Sequence, residues 1–244
     1  MFKYADPVDG LSPRLLRGLS DNGGLVIGAL DAAGTVCGFV YGFSAADAEG
    51  SYHYSQAAVV AAASQGNGLG RRLKQEQARR AAKQGHLAMR WAYDPLQVLN
   101  GHFNLDVLGA WGRWFKANYY DDNCSDRVVV QWDLPGTGVH TGGRRGPAEP
   151  RARTAAAEFP AHHPGISNWG GTLQGTSGEW LILPRSFSAL EQHEPARALE
   201  IRARGTNLLR ERFASGLALR RCVLLSSESA GYLFGTPPRE GTAP

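Results

Sequence analysis

Cysteine and methionine are scarce in this chain, with 3 and 2 residues among 244. The cysteines, Cys37, Cys124 and Cys222, are odd in number and show no paired spacing. That argues against a disulfide framework and against a metal site, and a reducing cytoplasm is the matching compartment. No run approaches the roughly 18–20 apolar residues that span a bilayer, so no membrane partner is expected. The opening Met1-Phe2-Lys3-Tyr4-Ala5-Asp6-Pro7 lacks the apolar core of a secretory signal. Charge is modest: 26 Lys and Arg against 22 Asp and Glu, a net +4. Arg144, Arg145, Arg151 and Arg153 hold much of the excess. They do not form the dense basic stripe with interleaved aromatics that a nucleic-acid binder presents, and a small anionic ligand is the better match.

What is present is enough for a core. Hydrophobic residues make up 43% and charged residues 20%, which excludes wholesale disorder. Composition divides the chain into residues 1–134, a Gly/Pro/Arg-rich linker or insertion over 135–178, and an accessory region over 179–244. In the first part, Leu25–Leu30 and Val36–Phe43 read as strands around the turn Asp31-Ala32-Ala33-Gly34, followed by a strand over Tyr52–Ala62. The spacing of Leu69, Leu73 and Ala81 predicts a helix from Leu69 to Gln84, stopped by Gly85. A strand over Leu87–Tyr93, a helix near Val98–Leu108 closed by Gly109, and a strand over Val128–Leu134 complete a β-β-β-α-β-α-β order. This is an α/β (α+β) class, with a mixed sheet and helices on its faces. In the last part, Glu179–Leu183 reads as a strand, Glu194–Ser215 as a helix, and Cys222–Leu225 and Gly231–Phe234 as short strands.

The most informative stretch runs from Val59 through Ser64-Gln65-Gly66-Asn67-Gly68-Leu69-Gly70-Arg71-Arg72. A strand feeds a glycine-rich turn that opens a helix. Glycines leave the backbone open to a ligand, and a helix start offers unpaired N–H donors and partial positive charge, with Arg71 and Arg72 alongside. The Gly-x-Gly-x-Gly spacing is not the dinucleotide Gly-x-Gly-x-x-Gly, and the Gly-Lys-Ser/Thr of a P-loop is absent. A tight turn that uses glycine only for its backbone freedom remains the alternative.

Gln65-Gly66-Asn67-Gly68-Leu69-Gly70 resembles the Gln/Arg-x-x-Gly-x-Gly/Ala motif of the GNAT acyltransferase superfamily. Gly23–Ala29 resembles that family's second strand. Trp91-Ala92-Tyr93-Asp94-Pro95-Leu96, Asn100-Gly101-His102-Phe103-Asn104-Leu105, Leu108-Gly109-Ala110, and Ser125 through Leu134 resemble one subgroup of it. Members of that subgroup carry a C-terminal extension, and some are linked to N-succinylation of amino acids. The resemblance implies a GNAT fold that opens between the family's fourth and fifth strands. There an acyl-CoA, acetyl-CoA or succinyl-CoA, would lie along Ala58, Val59 and Val60. Its diphosphate would rest on Gln65, Gly66, Asn67, Gly68, Leu69 and Gly70, with Arg71 beside it and Asn100 near its arm. A small-molecule primary amine would then attack the thioester directly.

The chain departs from that pattern. Asn67 stands where the family has Arg, Gln56 where it tends to have His, and Leu105 where its proton-donating Tyr falls. His53, Tyr93, His102 and Tyr120 remain as candidate catalytic groups, together with Tyr119. Packing is the competing role for His102 and for Tyr119-Tyr120. His162-His163 have no partner ligands, and Asp121-Asp122 reads as a solvated turn. Trp91, Trp111, Trp114 and Trp132 read as core or cleft wall. Arg202, Arg204, Arg210 and Arg212 form either an exposed helix face or a binding face for an acyl carboxylate. The family's first strand has no counterpart. The C-terminal region or a second copy, making a homodimer, is expected to cover the resulting sheet edge. Two rival readings stay open: the same fold acting on a carrier-protein thioester or with altered chemistry, and a non-catalytic CoA-binding or regulatory module.

Overall fold

A computed structural model describes residues 11–122, 125–135 and 165–238. The chain forms a mixed α/β fold organised as two compact units, Met1–Trp91 with Trp132–Pro147 and Ala92–Gln131 with Ala148–Pro244. Cys124, Arg144, Arg145, Arg151, Arg153, His162 and His163 lie outside the described residues, as does most of the expected linker.

The first unit begins with α1 (Pro13–Asp21), which the sequence reading missed. Ser12 caps it, its Oγ accepting from Leu15 N–H, and Pro13 occupies the first helical position. β1 (Leu25–Leu30), β2 (Val36–Asp47) and β3 (Gly50–Val60) form an antiparallel meander. β4 (Ala88–Tyr93) then pairs parallel with β3, which makes the sheet mixed. Between them runs α2 (Leu69–Lys83). Its Leu69 and Leu73 pack with Ile27, Ala29, Val40 and Val60 to form the apolar core on this side. On its outer face, Arg80 Nε sits 2.8 Å from Glu76, and Arg79 pairs with the same carboxylate. Trp132 packs edge-on against Trp91, and Leu134 N–H donates to Leu87 O at 2.9 Å. β1 is an outer strand of the sheet, and no described strand covers its far side. The described C-terminal strands pair among themselves and with β5.

The second unit holds α3 (Val98–His102), which continues as a π-helical turn over Phe103–Val107, then β5 (Trp111–Lys116) and β6 (Arg127–Asp133) as far as Gln131. Gly109 follows with φ +78°. β5 had no sequence-level counterpart. The later elements are β7 (Thr172–Gly175), β8 (Gly178–Pro184), α4 (Phe187–His193), α5 (Pro195–Ala214), β9 (Ala218–Leu224) and β10 (Ser229–Gly235). Thr172–Gly175 was read as linker because its run of Gly, Thr and Ser looks like loop. The hairpin partner β8 supplies the pairing that defines it as a strand. The strands follow the order β6-β5-β9-β10-β8-β7. The core includes Trp180, Leu181, Ile182, Ile201, Leu219 and Tyr232, all fully buried.

Candidate active site

β3 carries an extra residue. Tyr41 of β2 faces Ala57, and the next residue, Gly42, faces Ser55, so Gln56 is left out of the ladder as a bulge. The chains come so close here that a Cβ on Gly42 would lie 2.2 Å from Tyr54 O. The pairing of β3 with β4 covers only Tyr52, His53 and Tyr54, against Ala88, Met89 and Arg90. Ser55 and Trp91 are thus the first residues beyond the ladder, and the two strands part where the bulge adds local twist. Ala58 is exposed, and Val59 and Val60 are half-buried, on the stretch of β3 beyond that parting.

The glycine turn follows. Ala62–Ser64 form a 3-10 turn, after which Gly66 and Gly68 take φ +79° and +73°. Added Cβ atoms at these two glycines would meet nothing within 4 Å, so backbone conformation alone demands glycine. The first helical bond of α2 runs from Arg72 N–H to Gly68 O at 3.1 Å. The amides of Gly66, Asn67, Gly68, Leu69, Gly70 and Arg71 precede it and make no hydrogen bond among the described residues. No acidic residue stands in this first turn. Such an arrangement suits an anion. Gln65 differs from its expected place in the cradle. Its N–H donates to Ala62 O at 3.2 Å and its Nε2 to Val60 O at 3.1 Å. Gln65 therefore ties the turn back to β3, and its amide, unlike those of residues 66–71, is already engaged.

Beneath the parting of the strands lies a buried polar chain that sequence reasoning missed. Lys74 of α2, 3% exposed, donates from Nζ to Ser55 Oγ at 2.8 Å and stands 3.8 Å from the centroid of the Trp91 ring. Ser55 Oγ donates in turn to Gln77 Oε1 at 2.8 Å, and Gln77 Nε2 lies 3.1 Å from His53 Nε2. Burial pulls the Lys74 amine down to about 7. His53 is fully buried and pulled down to about 4, first by burial and then by His86 and Lys74. His86, likewise lowered by burial, exchanges a hydrogen bond with Ser44 Oγ at 2.9 Å. His53 therefore faces α2 as a neutral imidazole. The signal for Lys74 was present in the sequence: Lys74, Gln77, Ala78 and Ala81 follow the i, i+3, i+4, i+7 stripe of a buried helix face.

His53 and residues 58–60 and 65–71 share the first unit. Tyr93, Asn100, His102 and Tyr120 belong to the second. Tyr93 is buried beside Cys222 and Tyr232, and burial above all holds its phenol well above the usual range, so it stays protonated. Asn100 is exposed on α3. His102 Nδ1 donates to Cys222 O at 2.8 Å, a tie between helix and strand. Tyr120 is 56% exposed, edge-on to Tyr119, with the Arg127 guanidinium over its ring. Leu105 is buried. Among the described residues, no group of three His, Cys, Asp or Glu side chains could hold a metal, and no helix is long and apolar enough to cross a membrane.

No family model matches the chain, and neither does any curated protein. In structure it is similar to GNAT acetyltransferases. Nourseothricin acetyltransferase is 18% identical over 47% of this chain and 68% of its own, at a TM-score of 0.42. IAA acetyltransferase from Bacillus cereus is 17% identical over 50% and 85%, at 0.42. A GNAT family acetyltransferase from Elizabethkingia anophelis, solved with acetyl-CoA bound, is 16% identical over 50% and 84%, at 0.42.

Proposed function

We propose that this chain is an acyl-CoA-dependent N-acyltransferase of the GNAT type. It would move an acetyl or succinyl group to the primary amine of a small molecule, such as an amino acid or a natural-product intermediate, by direct attack. One observation carries the reading: six amides, Gly66 to Arg71, without a hydrogen bond among the described residues, lie one short turn beyond a strand that parts from its neighbour. The amides and the Arg71 charge suit a diphosphate, and the parting suits the pantetheine arm and its thioester. Ala58, Val59 and Val60 would flank that arm, with the diphosphate on Gly66 to Gly70. Asn67 in place of a cationic residue leaves Arg71 as the near charge. The buried Leu105 and the bulged Gln56 favour the non-catalytic CoA-binding module as the second reading, because the proton-transferring side chains of relatives are absent there.

Thermal shift of the full chain with acetyl-CoA, succinyl-CoA and free CoA tests the cradle, and free-thiol release with a panel of primary amines tests turnover. Binding with thiol release supports the transferase, and binding without it supports the module. Arg71→Glu places a negative charge at the helix start, and we expect CoA affinity to fall at least about tenfold, the equivalent of about 1.4 kcal/mol. Unchanged affinity in that variant would remove the cradle.

A further inference from the structure

Lys74 is unusual in three independent respects. It is a buried lysine with no carboxylate paired to it among the described residues. Its Nζ is held between Ser55 and Trp91, the two residues at which β3 and β4 part. Two of its three donor directions are taken by the Ser55 hydroxyl and the Trp91 ring face, which leaves capacity for one more partner. Burying an amine without a counter-ion is unfavourable. Fold stability alone gives no reason to place one beneath the opening rather than the apolar residue its helix face calls for.

We propose that Lys74 hands the proton to the coenzyme A thiolate as it departs. This rests on the acyltransferase reading above and adds the donor that Leu105 does not supply. In the balanced step, the acceptor nitrogen forms its bond to the carbonyl carbon as the carbon–sulfur bond breaks. The sulfur keeps the electron pair and takes a proton from the Lys74 ammonium. The amine of Lys74 is then recharged by the proton that the acylated nitrogen sheds to solvent. An ammonium that ionises at about 7 is a stronger acid than a thiol of ordinary pKa, about 8.5, so the transfer runs downhill. The groups facing Lys74 do not compete for that proton. From β3 and the turn before β4 come His53 and His86, both lowered by burial. From α2 comes the uncharged Gln77, while Arg90 on β4 alternates with Trp91 onto the other face of the sheet, engaged with Asp47 and Glu49.

The test uses the full chain, acetyl-CoA as donor and the variants Lys74→Met and Lys74→Arg. Wild-type kcat should fall as pH rises through about 7, where the ammonium is lost. Lys74→Met should lower kcat by about 100-fold with KM for acetyl-CoA little changed, in line with the loss of one general acid. Lys74→Arg keeps a charge that does not give up its proton, and it should not restore the rate. A second readout needs no turnover. The Trp91 ring centroid lies 3.8 Å from Nζ, so tryptophan fluorescence of wild type should titrate near 7, and that step should be missing in Lys74→Met. Ser55→Ala, which leaves Lys74 in place without its acceptor, should shift the kcat limb if Lys74→Met proves poorly folded. If wild type turns over and Lys74→Met matches it in kcat, pH limb and fluorescence titration, the Lys74 role fails alone. If wild type binds no acyl-CoA, the acyltransferase reading fails and takes this role with it.

Discussion

A single buried amine gives the protein a pH signature that does not depend on turnover. Lys74 titrates at about 7 in the fold against 10.5 in its ordinary state. Between those values the unfolded chain holds a proton that the native chain has released, so stability climbs with pH across that window and falls again on the way down. His53, at about 4 against 6.5, does the same in the acid window: its contribution is complete above 6.5 and is lost as pH falls toward 4. Urea midpoints followed across pH should show both rises. His53→Gln should flatten the lower one, and Lys74→Met should flatten the upper one and slightly weaken the lower, since the Lys74 charge also lowers His53; an unaltered slope in either variant would contradict the assigned burial. Neither shift was legible in the sequence. Burial causes both, and burial is fixed by which residues cover a side chain rather than by its neighbours along the chain. Gln65 makes the same point: its type fits the motif, but its hydrogen bonds make it the brace of the turn.

At the scale of elements, two glycines do different work. Gly68 caps the start of α2 at φ +73° in open space, so Gly68→Ala should cost about 1 kcal/mol through backbone strain alone. Gly68→Asn should cost less, because asparagine tolerates that conformation. Gly42 has ordinary backbone but no room. Gly42→Ala should cost about 3 kcal/mol, near the upper end for overpacking, and should disturb the bulge at Gln56. Denaturant unfolding would check both, and equal costs at the two sites would overturn the distinction. The strands around the motif were legible because alternation and turn residues bound them. β2 extends to Asp47, beyond the predicted end at Phe43, because β3 pairs with it that far. α1 was signalled by Ser12-Pro13 and overlooked. β5 offers only Trp-Gly-Arg-Trp, and its pairing with β6 and β9 makes it a strand.

Across the whole chain, contacts far apart in sequence define each unit. In the second, Asp106 on the π-helical turn accepts from Arg221 Nε at 2.9 Å and from Cys222 N–H at 2.6 Å, joining segments more than a hundred residues apart. Both partners of the ion pair are nearly buried. Asp106→Ala leaves the Arg221 charge without its counter-ion and should lower stability by about 3–5 kcal/mol. Asp106→Asn retains an oxygen for the Cys222 amide and should lose less. Similar losses in the two variants, measured by calorimetry, would mean that the charge lost in both carries the whole effect and the Cys222 contact none, and a loss under about 1 kcal/mol in Asp106→Ala would overturn the role of the pair.

The sequence by itself determined the strand–glycine turn–helix unit, the alternating strands around it and the mixed α/β class. These follow from local backbone freedom and from periodicity along a few residues. Tertiary structure alone decided where β3 and β4 separate, which candidate residues share a unit, and that a lysine and two histidines lie buried beneath the opening. Those outcomes depend on register and burial, which arise only when distant segments come together.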